Sequence, residues 1–410
     1  MHLPQHEPLL PEVGVLALVP DEWGTWWQPR HQVLVRLARY FRVLWVEPQN
    51  HWRQVLVALK SPPKRETEAA LPPGFRIFRQ TLPEVYRSRP INGWLRRQSL
   101  LRAANILRRS GCKKLILYLW RPEFQFALKD VPSDVSCYHI DDEYSFSSAD
   151  LPTSQTESAL IGSVDQVFIH SPALLEKKGR INPKTLHVPN GVDYDFYSRP
   201  RILPEDLARI PWPRVGYAGW IKSQLDLSLL VELARNHSGL SFVFVGGLMH
   251  EEIIGEDVRK LAALPNVSFL GAKSTEDMAN YPPHFDVCIM PYKLDGYTRY
   301  IYPLKLHEYL ATGRPTVGTG IRSLQDFRKI VTLADTYDEW VAALREGLSS
   351  EANTEERRAA RQSVAQQHDW TVLVHRIAHV LAARLGEDWQ KHHQQFPSVE
   401  AGTVSRSPCG

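Results

Sequence analysis

Between residues 298 and 319 the chain reads TRYIYPLKLHEYLATGRPTVGT. Lys305 and Glu308 stand one helical turn apart, while Leu304, Leu306, Tyr309 and Leu310 fall at the spacing of a buried helical face. Gly313 is placed to end that helix in a left-handed conformation, and Pro315 prevents its continuation. The start of the helix, near Tyr302 and Pro303, presents free N–H groups and the positive end of a dipole. That is a seat for a diphosphate. The Glu308 carboxylate, further along, can accept hydrogen bonds from a ribose diol. The same spacing also fits a core helix with a surface ion pair, which contributes little to stability.

Other side chains with chemistry stand at the ends of apolar runs. Asp141 and Asp142 follow VSCYHI, and because neighbouring residues alternate sides, one of the two is expected to face inward. That carboxylate can hold a transferred group, orient a hydroxyl or act as a general base; alternatively, Asp142 caps a helix. An adjacent pair without further ligand spacing does not make a magnesium site, so no metal is assigned. Lys222 follows Gly219-Trp220-Ile221, where an ammonium can neutralise a diphosphate. Lys293 and Arg299 offer the same charge from another loop, or are solvated surface charges. Trp26, Trp27 and Trp120 can stack on sugar faces or can be half-buried packing. His31, His139 and His170 read as satisfied structural residues near strand ends.

The elements that must position these groups alternate. Apolar runs at 13–19, 43–46, 115–119, 135–140, 164–169 and 186–188 read as buried parallel strands, with helical stretches between them. The pattern restarts at 215–218, with further strands at 242–245, 267–270, 287–290 and 316–318 and a helix over 226–235. This predicts an α/β protein with two Rossmann-like domains facing a cleft, with site residues at the carboxyl ends of strands. The expected divisions are a first domain over 1–196, a Pro-rich linker over 197–212 and a second domain over 213–369. A terminal helix follows over 370–387, then a polar, disordered tail over 388–410.

Composition agrees with two domains. At 410 residues the chain exceeds what one core supports. A net charge of +4 does not by itself imply nucleic acid. The four cysteines form no paired motif, which excludes a disulfide framework or zinc site and suits a reducing compartment. No apolar run reaches the roughly 20 residues of a membrane helix, and the N-terminus lacks a signal-peptide pattern, so a cytoplasmic location is expected.

Several motifs, in order, carry a family resemblance. The 298–319 segment resembles the donor signature of GT-B glycosyltransferases of group 1 (family 4), and most closely a surface-polysaccharide subgroup with P-x-K-x-x-E-Y-L-A-x-G-x-P. Pro303, Lys305 and Glu308 fit that pattern. The wider class carries an earlier Glu, and here Tyr300 stands in its place. The loop Gly24, Trp27, Arg30 and His31 is similar to the subgroup's first-domain opening. VSCYHIDDEYS, VPNGVD at 188–193 and GYAGWIKSQLD at 216–226 match further motifs.

The resemblance implies a nucleotide-sugar donor held by Glu308, Lys305, Arg299, Thr298, Tyr302, Pro303 and Gly219. It places nucleobase contacts at Gly271 and Lys273, and chemistry at Asp141, Asp142 and Lys222. Acceptor contacts fall at Gly24, Trp27, Arg30, His31 and Trp120. It further implies retention at the anomeric carbon, no cofactor beyond the donor, no metal, and last helices that cross back to the first domain. A nucleotide-sugar epimerase of the same fold and a non-catalytic carbohydrate-binding or scaffold protein are the alternatives.

Residues 87–114 contain no Asp or Glu and interleave Arg89, Arg96, Arg97, Arg102, Arg108 and Arg109 with Trp94 and leucines. A helix there either docks on an anionic membrane, as a lipid-linked acceptor requires, or packs on the sheet. No nucleic-acid motif accompanies the charge.

Overall fold

The computed structural model describes residues 4–24, 27–49, 71–80, 89–144, 153–249 and 251–386. The first domain contains β1 (Leu10–Leu18), α1 (Pro29–Leu37), β2 (Phe41–Val46), β3 (Phe75–Phe78), α2 (Arg89–Arg109), β4 (Lys114–Leu119), β5 (Val135–Ile140), α3 (Gln155–Ser163), β6 (Gln166–Ile169), α4 (Pro172–Lys178) and β7 (Thr185–His187). Its seven strands lie in the order β3-β2-β1-β4-β5-β6-β7 and pair in parallel. The order reverses between β1 and β4, which opens a crevice beyond their carboxyl ends.

Strand β1 shows why both faces must be covered. Val13, Val15 and Ala17 pack in one apolar layer, with α1 and the C-terminal helix. Leu16 and Leu18 pack in the other, with α2. A strand buried on both sides reads as a continuous apolar run, which is what made it visible in sequence.

The second domain contains β8 (Arg214–Ala218), α5 (Leu227–Asn236), β9 (Ser241–Val245), α6 (Glu251–Ala262), β10 (Val267–Phe269), β11 (Val287–Met290), α7 (Leu304–Thr312), β12 (Thr316–Gly318), β13 (Thr332–Leu333), α8 (Tyr337–Gly347) and α9 (Glu355–Gln367). The parallel order β10-β9-β8-β11-β12-β13 reverses between β8 and β11. Asp226 caps α5 by accepting from Leu229 N at 3.0 Å.

The chain crosses between domains twice, and the crossings are tied together. Val192 N donates to His368 O at 3.0 Å, and Trp370 N donates to Val192 O at 2.9 Å. A Cβ on Gly191 would lie 2.6 Å from His368 O, so only glycine permits this approach. The last helix, α10 (Trp370–Arg384), is capped by Asp369 and returns to the first domain. There Val374, Ile377, Ala378 and Leu381 are buried against α1, and Tyr40 hydrogen-bonds His375 at 3.0 Å. Burying each of the Val, Ile and Leu side chains is worth about 1.5–3 kcal/mol, which anchors one end of the second crossing.

Cys112, Cys137 and Cys288 are free and buried. No helix among the described residues is long and apolar enough to cross a membrane. The expected tail at 388–410 and Trp26 lie outside the described residues.

Candidate functional site: the cleft between the sheets

The second domain's contribution begins where β8 ends. Gly219 has φ +139°, and a Cβ there would sit 2.5 Å from Lys305 Nζ. The Lys305 side chain therefore lies across bare backbone, with its ammonium 5.0 Å from the centre of the Tyr217 ring. Gly246, φ +142°, backs onto Gly219 with no room for a side chain. Helix α7 is pinned against this turn: Ala218 N donates to Tyr309 Oη at 2.8 Å, and Leu306, Tyr309 and Leu310 are fully buried. The helix starts after Pro303 and ends at Gly313, φ +74°, as the spacing predicts.

Lys222 is half-buried. Burial and the neighbouring Lys305 push its ammonium below the usual lysine range, with Asp142 opposing them. Among the described residues no carboxylate forms an ion pair with either lysine. Two neighbouring cations with no ion-pair partner among the described residues, beside the N-terminus of α7, make an anion site. One turn along, burial raises the Glu308 carboxyl above its ordinary value, opposed by Lys305 and by a hydrogen bond donated by the Tyr197 hydroxyl.

The first domain meets this surface through the loop after β5. Asp141 is buried and turned away: Arg30 Nη1 donates to it at 2.6 Å, the Tyr144 hydroxyl donates to its other oxygen, and Arg30 also pairs with Asp21. Asp142 faces the second domain, where it accepts from Glu143 N at 2.8 Å and from the Tyr297 hydroxyl at 3.2 Å. Burial raises its carboxyl above the ordinary range. So the pair divides as alternation requires, with Asp142 the inward member.

The loop is held from behind by a buried charge cluster. Lys178 Nζ lies 2.9 Å from Glu157 and 3.0 Å from Glu143, while Lys177 reaches Glu143 at 3.0 Å. Lys177 also lies 5.0 Å from the centre of the Tyr300 ring. Tyr300 packs into the first domain's core, which accounts for an aromatic residue in place of a carboxylate.

Of the other predicted residues, some are buried in the packing and others are exposed. Trp120 is fully buried and stacked on His139 at 4.3 Å, so it offers no face to an acceptor. His31 is fully buried 4.5 Å from Trp45 and accepts from Gln28 N at 3.1 Å; burial, with Arg30 nearby, pushes it down to about 4, so it is neutral. Trp27 is half-buried 5.9 Å from His31, and Gly24 is exposed at φ +90°. Thr298 is buried: its hydroxyl donates to Lys293 O, and its N–H to Asp295 at 2.8 Å. Arg299 is exposed. The Tyr302 ring is buried, with its hydroxyl 2.9 Å from His307 Nε2. Gly271 is exposed at φ +71°, while Lys273 pairs with Asp206 at 2.8 Å.

Three residues in or facing the cleft were not assigned from sequence. Asn190, within VPNGVD, donates to Tyr302 O at 2.8 Å and ties the first domain to the residue before Pro303. Tyr197 and Tyr297 had no signal, because each acts on a carboxylate distant in sequence. Among the described residues no cluster of three or more His, Cys, Asp or Glu could hold a metal.

Two facing parallel-sheet domains, with the last helix returned to the first, define a GT-B fold. Solved structures share it. HepE from Anabaena, in complex with UDP and glucose, aligns with a TM-score of 0.64 at 14% identity, covering 90% of this chain and 99% of that one. A glycosyltransferase from Rickettsia africae gives 0.66 at 14% identity, covering 92% and 99%. Residues 213–350 match the family model "Glycosyl transferases group 1". The putative teichuronic acid biosynthesis glycosyltransferase TuaH of Bacillus subtilis is 29% identical over 239 residues, 56% of this chain. That alignment spans 58% of TuaH, little more than half its length. Over residues 213–350, within its second domain, the chain is thus similar to the group 1 glycosyl transferases.

Proposed function

We propose that this protein transfers a sugar from a nucleoside-diphosphate sugar to a hydroxyl of a glycan or lipid-linked acceptor, with retention at the anomeric carbon. The observation that carries this reading is the juxtaposition of Lys222 and Lys305, with no ion-pair partner among the described residues, at the start of α7, with Glu308 one turn further on. HepE solved with UDP and glucose, and an Escherichia coli trehalose-6-phosphate protein solved with UDP-2-fluoro glucose, support a nucleotide-sugar donor.

In this reading the two ammonium groups and the first N–H groups of α7 take the diphosphate, and Glu308 accepts from the ribose hydroxyls. As the glycosidic bond to phosphate breaks, negative charge grows on the departing oxygen. Cations already fixed beside it stabilise that charge more than they stabilise the bound donor. The acceptor approaches from the first domain near Asp142, on the same face as the leaving group, and the departing phosphate takes its proton. No enzyme nucleophile is required, and domain closure keeps water out.

The test is incubation with UDP-, GDP- and dTDP-sugars, with and without hydroxyl acceptors. Acceptor-dependent release of nucleoside diphosphate is the expected result. Interconversion of sugars without release, or binding with neither, overturns the reading.

A further inference from the structure

Helix α2 is two-sided. Leu100, Ala103, Ala104 and Leu107 are buried against the sheet. The opposite side leaves Ile91 51% and Trp94 60% exposed. Arg97, Arg102, Arg108 and Arg109 are exposed along the same helix. Arg96 is spent elsewhere, 3.4 Å over the Phe126 ring. Among the described residues no carboxylate pairs with the four exposed arginines; Arg108 reaches only Pro132 O, at 3.5 Å. The helix carries no charge to neutralise these arginines locally, since residues 87–114 hold no acidic side chain.

Position gives this face a meaning. A Cβ on Gly14, in the middle of β1, would lie 3.1 Å from Leu107 Cδ1, so the end of α2 packs beside the middle of the strand. A helix between parallel strands runs opposite to them. From Leu107 back to Trp94 is about 20 Å of helix. From Gly14 forward to Leu18 is only about 13 Å of strand. Trp94 and Ile91 therefore stand past the carboxyl end of β1, on the rim where the cleft opens.

We propose that this side of α2 docks the protein on an anionic lipid bilayer. Indole rings and aliphatic side chains settle at the boundary between headgroups and acyl chains, while arginines meet the headgroup phosphates. The apolar pair at the tip favours a bilayer over a nucleic acid, whose backbone offers isoleucine nothing. Docking here holds the mouth of the cleft against the membrane. It rests on the transfer reading only for its purpose, which is to bring a lipid-linked acceptor to the first domain.

The test is flotation of the full chain with phosphatidylglycerol-rich vesicles and with pure phosphatidylcholine vesicles. The native protein is expected to bind only the former, less tightly at high salt. Each basic residue near such a surface strengthens binding about fivefold, so Arg97→Gln with Arg102→Gln should weaken it about 25-fold. Ile91→Ser with Trp94→Ser should weaken it at least about tenfold, with thermal unfolding unchanged, because both side chains are exposed. Absent vesicle binding overturns the proposal, as does binding indifferent to both variants. So does binding to a short RNA, lost with the same arginines, while vesicles are ignored. Nucleoside diphosphate affinity, measured on the same samples, separates the two readings: its absence sinks the transfer reading and leaves docking intact.

Discussion

The Tyr197 hydroxyl donates a hydrogen bond to the Glu308 carboxylate, linking the connector between domains to the donor helix. Burial already raises the Glu308 carboxyl, and this bond favours its charged form. Tyr197→Phe removes the donor, so Glu308 protonates at higher pH. Nucleoside diphosphate affinity should then fall on acidification at a higher pH than in the native protein, since the lost hydrogen bond favoured the charged carboxylate. Titration calorimetry between neutral and mildly acidic pH reads this directly. Glu308→Ala should weaken binding at every pH while leaving the fold intact. Superimposable profiles for native and Tyr197→Phe protein would remove Tyr197 from the site.

Lys222 and Lys305 should matter more for binding than for stability. Neither forms an ion pair with a carboxylate among the described residues, and Lys222 is lowered by burial first and by the neighbouring Lys305 second. Lys305→Met should cost donor affinity about 10- to 100-fold, the loss expected for one charge-assisted contact. The same substitution should change Tm little, because the repulsion from Lys222 that it removes is set against the lost attraction to Glu308. Comparing a nucleoside diphosphate with its nucleoside isolates the effect: the native protein should prefer the diphosphate, and the variant should lose that preference. Equal discrimination by both proteins refutes the phosphate assignment.

The sequence made some of this arrangement readable, for identifiable reasons. Strands buried on both faces, such as β1 and β11, appear as unbroken apolar runs. Helix α7 is bracketed by Pro303 and Gly313, and Lys305 and Glu308 follow from helical spacing alone. Helix α9 gave no such signal, because EERRAARQSVAQQ buries only Arg361 and Ala365. Strand β3 is four residues with a half-covered surface. Within the site, an aromatic residue at a strand end reads the same facing in or out, so Trp120 could not be told from a sugar platform. Tyr297 and Asp142 are 155 residues apart, and Asn190 and Tyr302 are 112 apart. Their pairing depends on how the two domains close, which no local pattern encodes.

The two adjacent aspartates should separate in experiment. Asp141 is one of two carboxylates on the buried Arg30, so Asp141→Asn leaves the guanidinium with Asp21 alone and should cost stability, though less than the about 3–5 kcal/mol of a buried charge left wholly unpaired. Asp142 is buried with its carboxyl raised, so at neutral pH its ionised form opposes folding. The sign follows from linkage: the folded state binds this proton more tightly, so the cost is present above the folded value and vanishes as pH falls below the unfolded one. Asp142→Asn should therefore raise Tm at neutral pH, with the gain shrinking in acid, while lowering turnover. Equal losses of Tm in both variants would show that the structure assigns their roles wrongly.

Lys178 tests whether the buried charge cluster shapes the site or only the core. Its ammonium is fully buried between Glu143 and Glu157, and Glu143 directly follows Asp142 in the loop after β5. Lys178→Met fills similar volume but leaves the carboxylates buried with only Lys177 nearby, which should cost about 3–5 kcal/mol. Burial already raises the Glu157 carboxyl, and losing Lys178 raises it further. Protonating it removes the buried charge, so the deficit in Tm should be largest at neutral pH and should narrow as pH falls. A variant that instead weakens equally at all pH values has lost packing rather than charge. Because Asp142 hangs from the same loop, turnover should fall with a larger effect on kcat than on donor affinity. A matching loss of donor affinity would mean that the cluster supports the second domain's site through the Lys177–Tyr300 contact, and would move the functional weight of this network across the cleft.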